Sequence, residues 1–253
     1  TNINQRLDVV LEENSALKLI NFFTDFSGNN FINIYHDFKV GKDSILKNYK
    51  IDNKENSNIK YFYNDIDLHQ NSLVENFILS CGSKFIKNEI NCNLKEQYAS
   101  AFVSGIINLS NSQQHEIKTN INHLEQNTKS YQLIKSVLNE NSKGIFQGKI
   151  FVNSRAQKTD GYQLSKAILL NKNAEFDAKP ELEIYADDVK CSHGSTSGSL
   201  DENSVFYLMS RGLSNNEAKK LLINGFMLDA IEKITDIEIK KLIKEIMGIS
   251  EWI

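Results

Sequence analysis

Residues 179–198, KPELEIYADDVKCSHGSTSG, hold the only proline of the chain, one of its three cysteines and one of its five histidines. Cys191 and His193 stand two apart, so in an extended chain both side chains project to one side. A thiolate beside an imidazole is a soft ligand pair for iron or zinc, and Rieske-type centres carry both donor types on one cluster. Two donors do not close a metal site, so a second chain would have to complete it. A nucleophilic reading of Cys191 needs an imidazole to activate it and a third group to orient that imidazole. Asp187 and Asp188 are close by, but no elbow or helix N-terminus is evident to lower the thiol pKa. The plainest reading is a Cys-Ser-His-Gly turn that ends a strand, with His193 bonded to backbone and Cys191 inert. The adjacent carboxylates also bring to mind β-solenoid enzymes that act on polysaccharides, although Asp-Asp after a strand is ordinarily a solvated turn.

Those residues follow a long field of short strands. FINIYHDF places Ile32, Ile34, His36 and Phe38 on one face, and GIFQGKIFV places Phe146, Gly148, Ile150 and Val152 together. ELEIYA sets Leu182, Ile184 and Ala186 against Glu181, Glu183 and Tyr185, and parity carried through the turn puts Cys191 and His193 opposite the apolar set. Serines at 15, 44, 72, 100 and 130 introduce successive apolar segments at intervals of 28–30 residues. Such a period, in strands with no helices between them, is the signature of a β-solenoid. NSRAQKTDGYQ (153–163) reads as one of its turns. His36 and His123 read as satisfied core or surface histidines, and Cys81 and Cys92 as apolar filler or incidental thiols.

After about residue 200 the pattern turns helical. Asp201 is a candidate N-cap and Gly212 suits the position just past a helix end. Ser214 with Glu217 forms a capping box, and Thr235 with Glu238 repeats the device. Gly225 is a weak point inside the second helix. The chain therefore divides into a β core, 1–198, and a C-terminal helical subdomain, 199–253.

Composition narrows the function. A 40% hydrophobic and 24% charged chain is that of a soluble globular protein, and a net charge of −3 argues against nucleic acid as main partner. No apolar run approaches the roughly 18 residues of a spanning helix, and no signal peptide is visible. An odd, dispersed cysteine set without CxxC spacing fits a reducing cytosol and free thiols better than a zinc site. No P-loop or GxGxxG is present, so any ATP would be bound by another subunit.

The run from GIFQGKIFV through KPELEIYADDVKCSHGSTSG, followed by FYLMSRGLS, resembles the SufB/SufD family of iron–sulfur cluster assembly proteins. KPELEIYADDVKCSHG is most similar to the SufD branch; GYQ (161–163) and GSTSG (194–198) look like small variations on the pattern. The likeness is dense over 115–234. It implies a right-handed parallel β-helix with a C-terminal helical region, in a core lacking the family's N-terminal helices. It also implies a cytoplasmic, non-catalytic scaffold that pairs with SufB, docks the SufC ATPase and holds an iron–sulfur cluster only transiently, shared with the partner. On this reading Cys191 and His193 fall at the SufB contact, with His193 the favoured metal ligand, and Phe206, Tyr207, Arg211 and Gly212 fall in the SufC-docking region. Two alternatives stand beside it: a β-helix enzyme acting on polysaccharide, and a SufB-like homodimeric scaffold. Self-association of the isolated chain is left open.

Overall fold

A computed structural model of the chain describes residues 1–23 and 28–249. The alternating runs become strands that stack in parallel. Among the described residues these are β1 (Asn2–Leu11), β2 (Ala16–Phe22), β3 (Phe31–Val40), β4 (Ile45–Asp52), β5 (Asn56–Leu68), β6 (Leu73–Ser80) and β7 (Ser83–Leu94). They continue as β8 (Ser100–Leu109), β9 (Gln114–His123), β10 (Lys129–Leu138), β11 (Lys143–Val152), β12 (Asp160–Leu169), β13 (Glu175–Ile184) and β14 (Lys190–Gly198). Odd-numbered strands form one sheet and even-numbered strands the other, each strand pairing with those one coil before and after. The result is a β-solenoid of about seven turns.

The repeat that the serines suggest is real, but its register differs. Pairings such as Ala16↔Ile45, Ile45↔Leu73, Leu73↔Ser100, Ser100↔Lys129 and Lys129↔Asp160 align positions 15, 44, 72, 99, 128 and 159. Ser15, Ser44 and Ser72 lie on this rung, whereas Ser100 and Ser130 lie just past it and Ala99, Thr128 and Thr159 take their place. The rung is a turn device. The residue before each member, Asn14, Asp43, Asn71, Tyr98, Asn127 or Lys158, is left-handed with φ of 55–65°, a conformation that Asn and Asp tolerate best. Hydroxyls then close the turn: Ser72 Oγ donates to His69 O (2.7 Å), Thr128 Oγ1 to Glu125 O (3.0 Å) and Thr159 Oγ1 to Ala156 O (2.8 Å).

Inward residues fill the space between the sheets with aliphatic and aromatic side chains, Phe38, Val40, Ile66, Ile90, Cys92, Ile121 and Phe146 among them. Toward the early coils the interior turns polar. Lys60 pairs with Asp52, both fully buried, and Lys50 Nζ donates to Asn88 Oδ1 (3.0 Å) while lying 4.1 Å from the Phe62 ring centroid. His115 bridges Ser80 Oγ (2.8 Å) and Ser83 O (2.6 Å), and His123 lies between Thr128 and Ser130. His36, His115 and His123 are thus all core residues, and burial pushes their pKa values down to about 4, about 4 and about 3.

Three helices follow: α1 (Glu202–Ser210), α2 (Asn215–Ile231) and α3 (Ile237–Ile246). Asp201 caps α1, Gly212 (φ +98°) lies just past its end, and Ser214 and Glu217 complete their capping box. Thr235 is not the third cap. Asp236 holds that position, accepting from Ile239 N, while Thr235 donates through its N–H and hydroxyl to Glu75. Glu75 also receives the Tyr49 hydroxyl at 2.6 Å, so one buried carboxylate ties the α2–α3 turn to the solenoid. Around that tie, Met227, Ala230, Ile231, Ile234, Ile239 and Ile243 pack on Tyr49, Ile51, Phe77, Leu79, Ile106, Leu133 and Val137. These outward residues explain why β4, β6, β8 and β10 are buried on both faces along most of their length.

Candidate functional site

The quoted stretch lies at the last coil. Its first part completes β13, an edge strand, where Pro180 pairs in register with Gly148. An edge is where a strand accommodates a residue without an N–H. Asp187 and Asp188 form the exposed bend between the last two strands. Cys-Ser-His-Gly is not the expected turn. It is the start of β14, which among the described residues pairs with β12 alone and leaves its other side open. Successive serines and glycines obscured the strand because they carry little β propensity; pairing to β12 overrides it.

The register fixes what the two side chains face. Cys191 pairs with Gly161 and His193 with Gln163, both buried inward positions of β12. The pair therefore lies on the interior side of the sheet. It is not opposite the apolar set, as parity across the Asp-Asp bend suggests, because that bend interrupts the alternation. Cys191 is half-buried against Leu182, Ile150, Val152 and Ala186. Its Sγ would lie 3.3 Å from a Cβ at Gly161, so a larger residue there would crowd the thiol. Burial raises the Cys191 pKa, partly offset by a backbone hydrogen bond at Gly161. The thiol form therefore dominates at neutral pH, which removes the electrostatic basis for a nucleophile. His193, one rung along, is exposed because no further coil covers it.

Beneath His193 the interior carries a row of amide groups. Thr119 Oγ1 donates to Gln132 Oε1 (2.5 Å), Gln132 Nε2 to Gln163 Oε1 (3.3 Å) and Gln163 Nε2 to Gly148 O (3.2 Å). A Cβ at Gly148 would meet the Gln163 amide at 2.5 Å, so glycine is what lets the fully buried Gln163 lie flat under the site. Gly148 reads in sequence as an inward strand residue; its close contact with Gln163 had no sequence signal. Among the described residues no group of three or more His, Cys, Asp or Glu side chains is arranged to hold a metal. Cys81 and Cys92 lie apart from the site as free cysteines; Cys92 is buried in the core, and burial pushes the Cys81 thiol up to about 12.

The second set of sequence candidates lies on α1. Phe206 is 73% and Tyr207 57% exposed, and Arg211 extends its guanidinium over the Tyr207 ring at 5.2 Å. Met209 adds to the exposed apolar surface, while Val205 alone is buried from this helix. A shallow cleft between α1 and α2, lined by Asp201, Ser204, Tyr207, Leu208 and Leu222, adjoins it. Two aromatics so exposed on a nine-residue helix form an apolar surface patch.

A family model described as the SUF system FeS cluster assembly, SufBD core domain, matches residues 1–226. The chain is 27% identical to the iron–sulfur cluster assembly protein SufD of Escherichia coli over 94% of its own length and 56% of that protein. It is 27% identical to a SufBD family protein of Synechocystis, covering 92% and 53%, and 30% identical to SufD of Bacillus subtilis over 51% of the chain and 30% of that relative. The chain thus spans about half the length of the first two relatives. No helix among the described residues is long and apolar enough to cross a membrane.

Proposed function

We propose, from the premise that the chain belongs to the SufBD core-domain family of iron–sulfur cluster assembly, that it is a non-catalytic scaffold subunit pairing with SufB. The observation that carries this reading is β14: an edge strand, paired on one side with β12, bearing one exposed imidazole and one half-buried thiol. An open edge offers a row of backbone donors and acceptors to a partner strand. A partner joined there would bring further ligands beside His193, and a nascent cluster would be cargo shared across that contact. His193 is the ligand on this reading. Cys191, held neutral among aliphatic side chains, supports the contact. Phe206, Tyr207, Arg211 and Gly212 present the surface for SufC, which would supply ATP hydrolysis. The division at 198/199 and a cytoplasmic location belong to the same proposal.

The test is His193→Ala in the complex reconstituted with SufB and SufC. Iron and sulfide content of the assembled cluster should fall severalfold while the subunit's melting temperature is unchanged, since surface truncations stay within about 0.5 kcal/mol. Cys191→Ser should reduce the yield less. Undiminished cluster formation by His193→Ala would remove the proposed site. The isolated chain should show neither ATP turnover nor stoichiometric iron that survives desalting.

A further inference from the structure

We infer that the cavity between α2 and the outward face of β10 and β12 is a binding site for a phosphate-bearing small molecule. The cavity measures about 320 Å³ and is bounded by Tyr131, Lys135, Lys166, Asp229, Glu232 and Lys233, with leucines at its floor. That volume is within the range of small-ligand sites.

Its charge is out of keeping with the rest of the chain. Glu232 is already engaged by Lys240 and Lys244, each at 2.8 Å. Asp229 is engaged by Lys135 at 2.6 Å. Among the described residues Lys166 and Lys233 form no ion pair, so two ammonium groups remain uncompensated on a chain whose net charge is −3. A local cationic surplus inside a concave wall attracts anions.

The lining selects among anions. Lys233 Nζ sits 4.9 Å from the Tyr131 ring centroid, and Tyr131 stacks on Tyr162 at 5.3 Å. The Tyr131 ring is thus already engaged by a cation and a neighbouring ring, and the site offers charge. No arginine lines it. Lysine ammoniums act as point charges, and three of them around one cavity suit a compact, multiply charged anion such as a phosphate group.

Lys135 gives the site a further element. Its side chain is 3% exposed, with Asp229 63% exposed beside it. A phosphate oxygen entering the cavity can replace the Asp229 carboxylate on this buried ammonium without leaving the charge unpaired, and Asp229 swings into solvent. Asp229 thus competes with the ligand. This inference is independent of the reading of β14.

The test titrates the full chain with pyrophosphate and, in a parallel arm, with citrate, by calorimetry at physiological salt. Saturable one-site binding of pyrophosphate is expected, with citrate weaker. Lys166→Ala/Lys233→Ala should weaken pyrophosphate binding by about tenfold or more, and the single exposed change Lys233→Glu should do so without disturbing the fold. Asp229→Asn should bind several times more tightly, a result that nonspecific attraction to a lysine-rich surface would not produce. Lys172→Ala/Lys179→Ala, in the last coil outside this cavity, should bind as the parent does. Absence of saturable binding at low-millimolar pyrophosphate, citrate binding as tight as pyrophosphate, or unchanged affinity in the lysine variants would each overturn the assignment.

Discussion

Lys50→Met should make the protein more stable at pH 7 and not at pH 10. Lys50 is fully buried in the solenoid interior, and desolvation brings its pKa from 10.5 to about 7. The folded value lies below the unfolded one. Between about pH 7 and 10.5 the unfolded chain therefore holds a proton that the folded chain does not, and stability rises with pH across that window. At pH 7 the shift corresponds to a penalty of about 4 kcal/mol, shrinking to about 1 kcal/mol at pH 10. Methionine has nearly the same length and a thioether suited to the Phe62 ring beside it. The change leaves Asn88 Oδ1 without its donor, costing about 1–3 kcal/mol. Asp52 keeps Lys60. The balance is a gain of about 1–3 kcal/mol at pH 7 that disappears or reverses by pH 10. Urea unfolding of parent and variant at pH 7, 8.5 and 10, compared through the midpoint at constant m, reads this directly. A difference that does not vary with pH, or a variant less stable at pH 7, would refute the account of a desolvated lysine.

Gly225→Ala in α2 meets no atom within 4 Å and should stabilise by about 0.5–1 kcal/mol, raising the urea midpoint without changing m. Glu75→Ala strips the acceptor from the Tyr49 hydroxyl and from Thr235; a loss of about 2–4 kcal/mol by urea unfolding is expected, with Glu75→Gln recovering part of it. The three buried histidines have folded values below 6.5, so each loses stability as pH falls from 6.5 toward about 4, or about 3 for His123, amounting to about 2 kcal/mol apiece by pH 5. Their ring resonances should not titrate above pH 5.5; titration near 6.5 would contradict their burial. Phe206→Ala/Tyr207→Ala should leave the melting temperature unchanged yet weaken SufC capture by tenfold or more, as loss of aromatic anchors does.

The architecture was legible because a solenoid repeats its instructions. Each coil restates an apolar alternation and a polar turn, so even an inexact serine landmark recovered the period of about 29 residues. What serine identity alone could not convey is that the turn's shared feature is a left-handed residue, followed by a hydroxyl at Ser44, Thr128 and Thr159 but by Ala99 in one coil. Helix caps were legible for the same local reason, and Thr235 misled because its hydroxyl serves a tertiary partner 160 positions away. Lys50, Asp52 and Lys60 were silent in sequence. Charged residues in a strand normally face water, and only the fold of β5 across β4 reveals that Asp52 and Lys60 meet in the interior, with Lys50 reaching Asn88 on β7.

The geometry of the candidate site was not legible from its residue types, and the reason is physical. Within a solenoid, every inward position is specified by the coil below and the coil above. At the last coil one of those neighbours is missing, so residues there are under weaker packing constraint and are free to be chosen for what binds next. His193 takes the inward position that Gln163 and Gln132 hold one and two coils earlier, yet it is exposed because no coil covers it. A histidine at a buried rung would be driven neutral like His123; at the terminal rung it keeps access to solvent and to a partner. The same side chain is a core residue or a candidate ligand according to whether another coil follows, and that depends on where the solenoid stops rather than on the tripeptide around it.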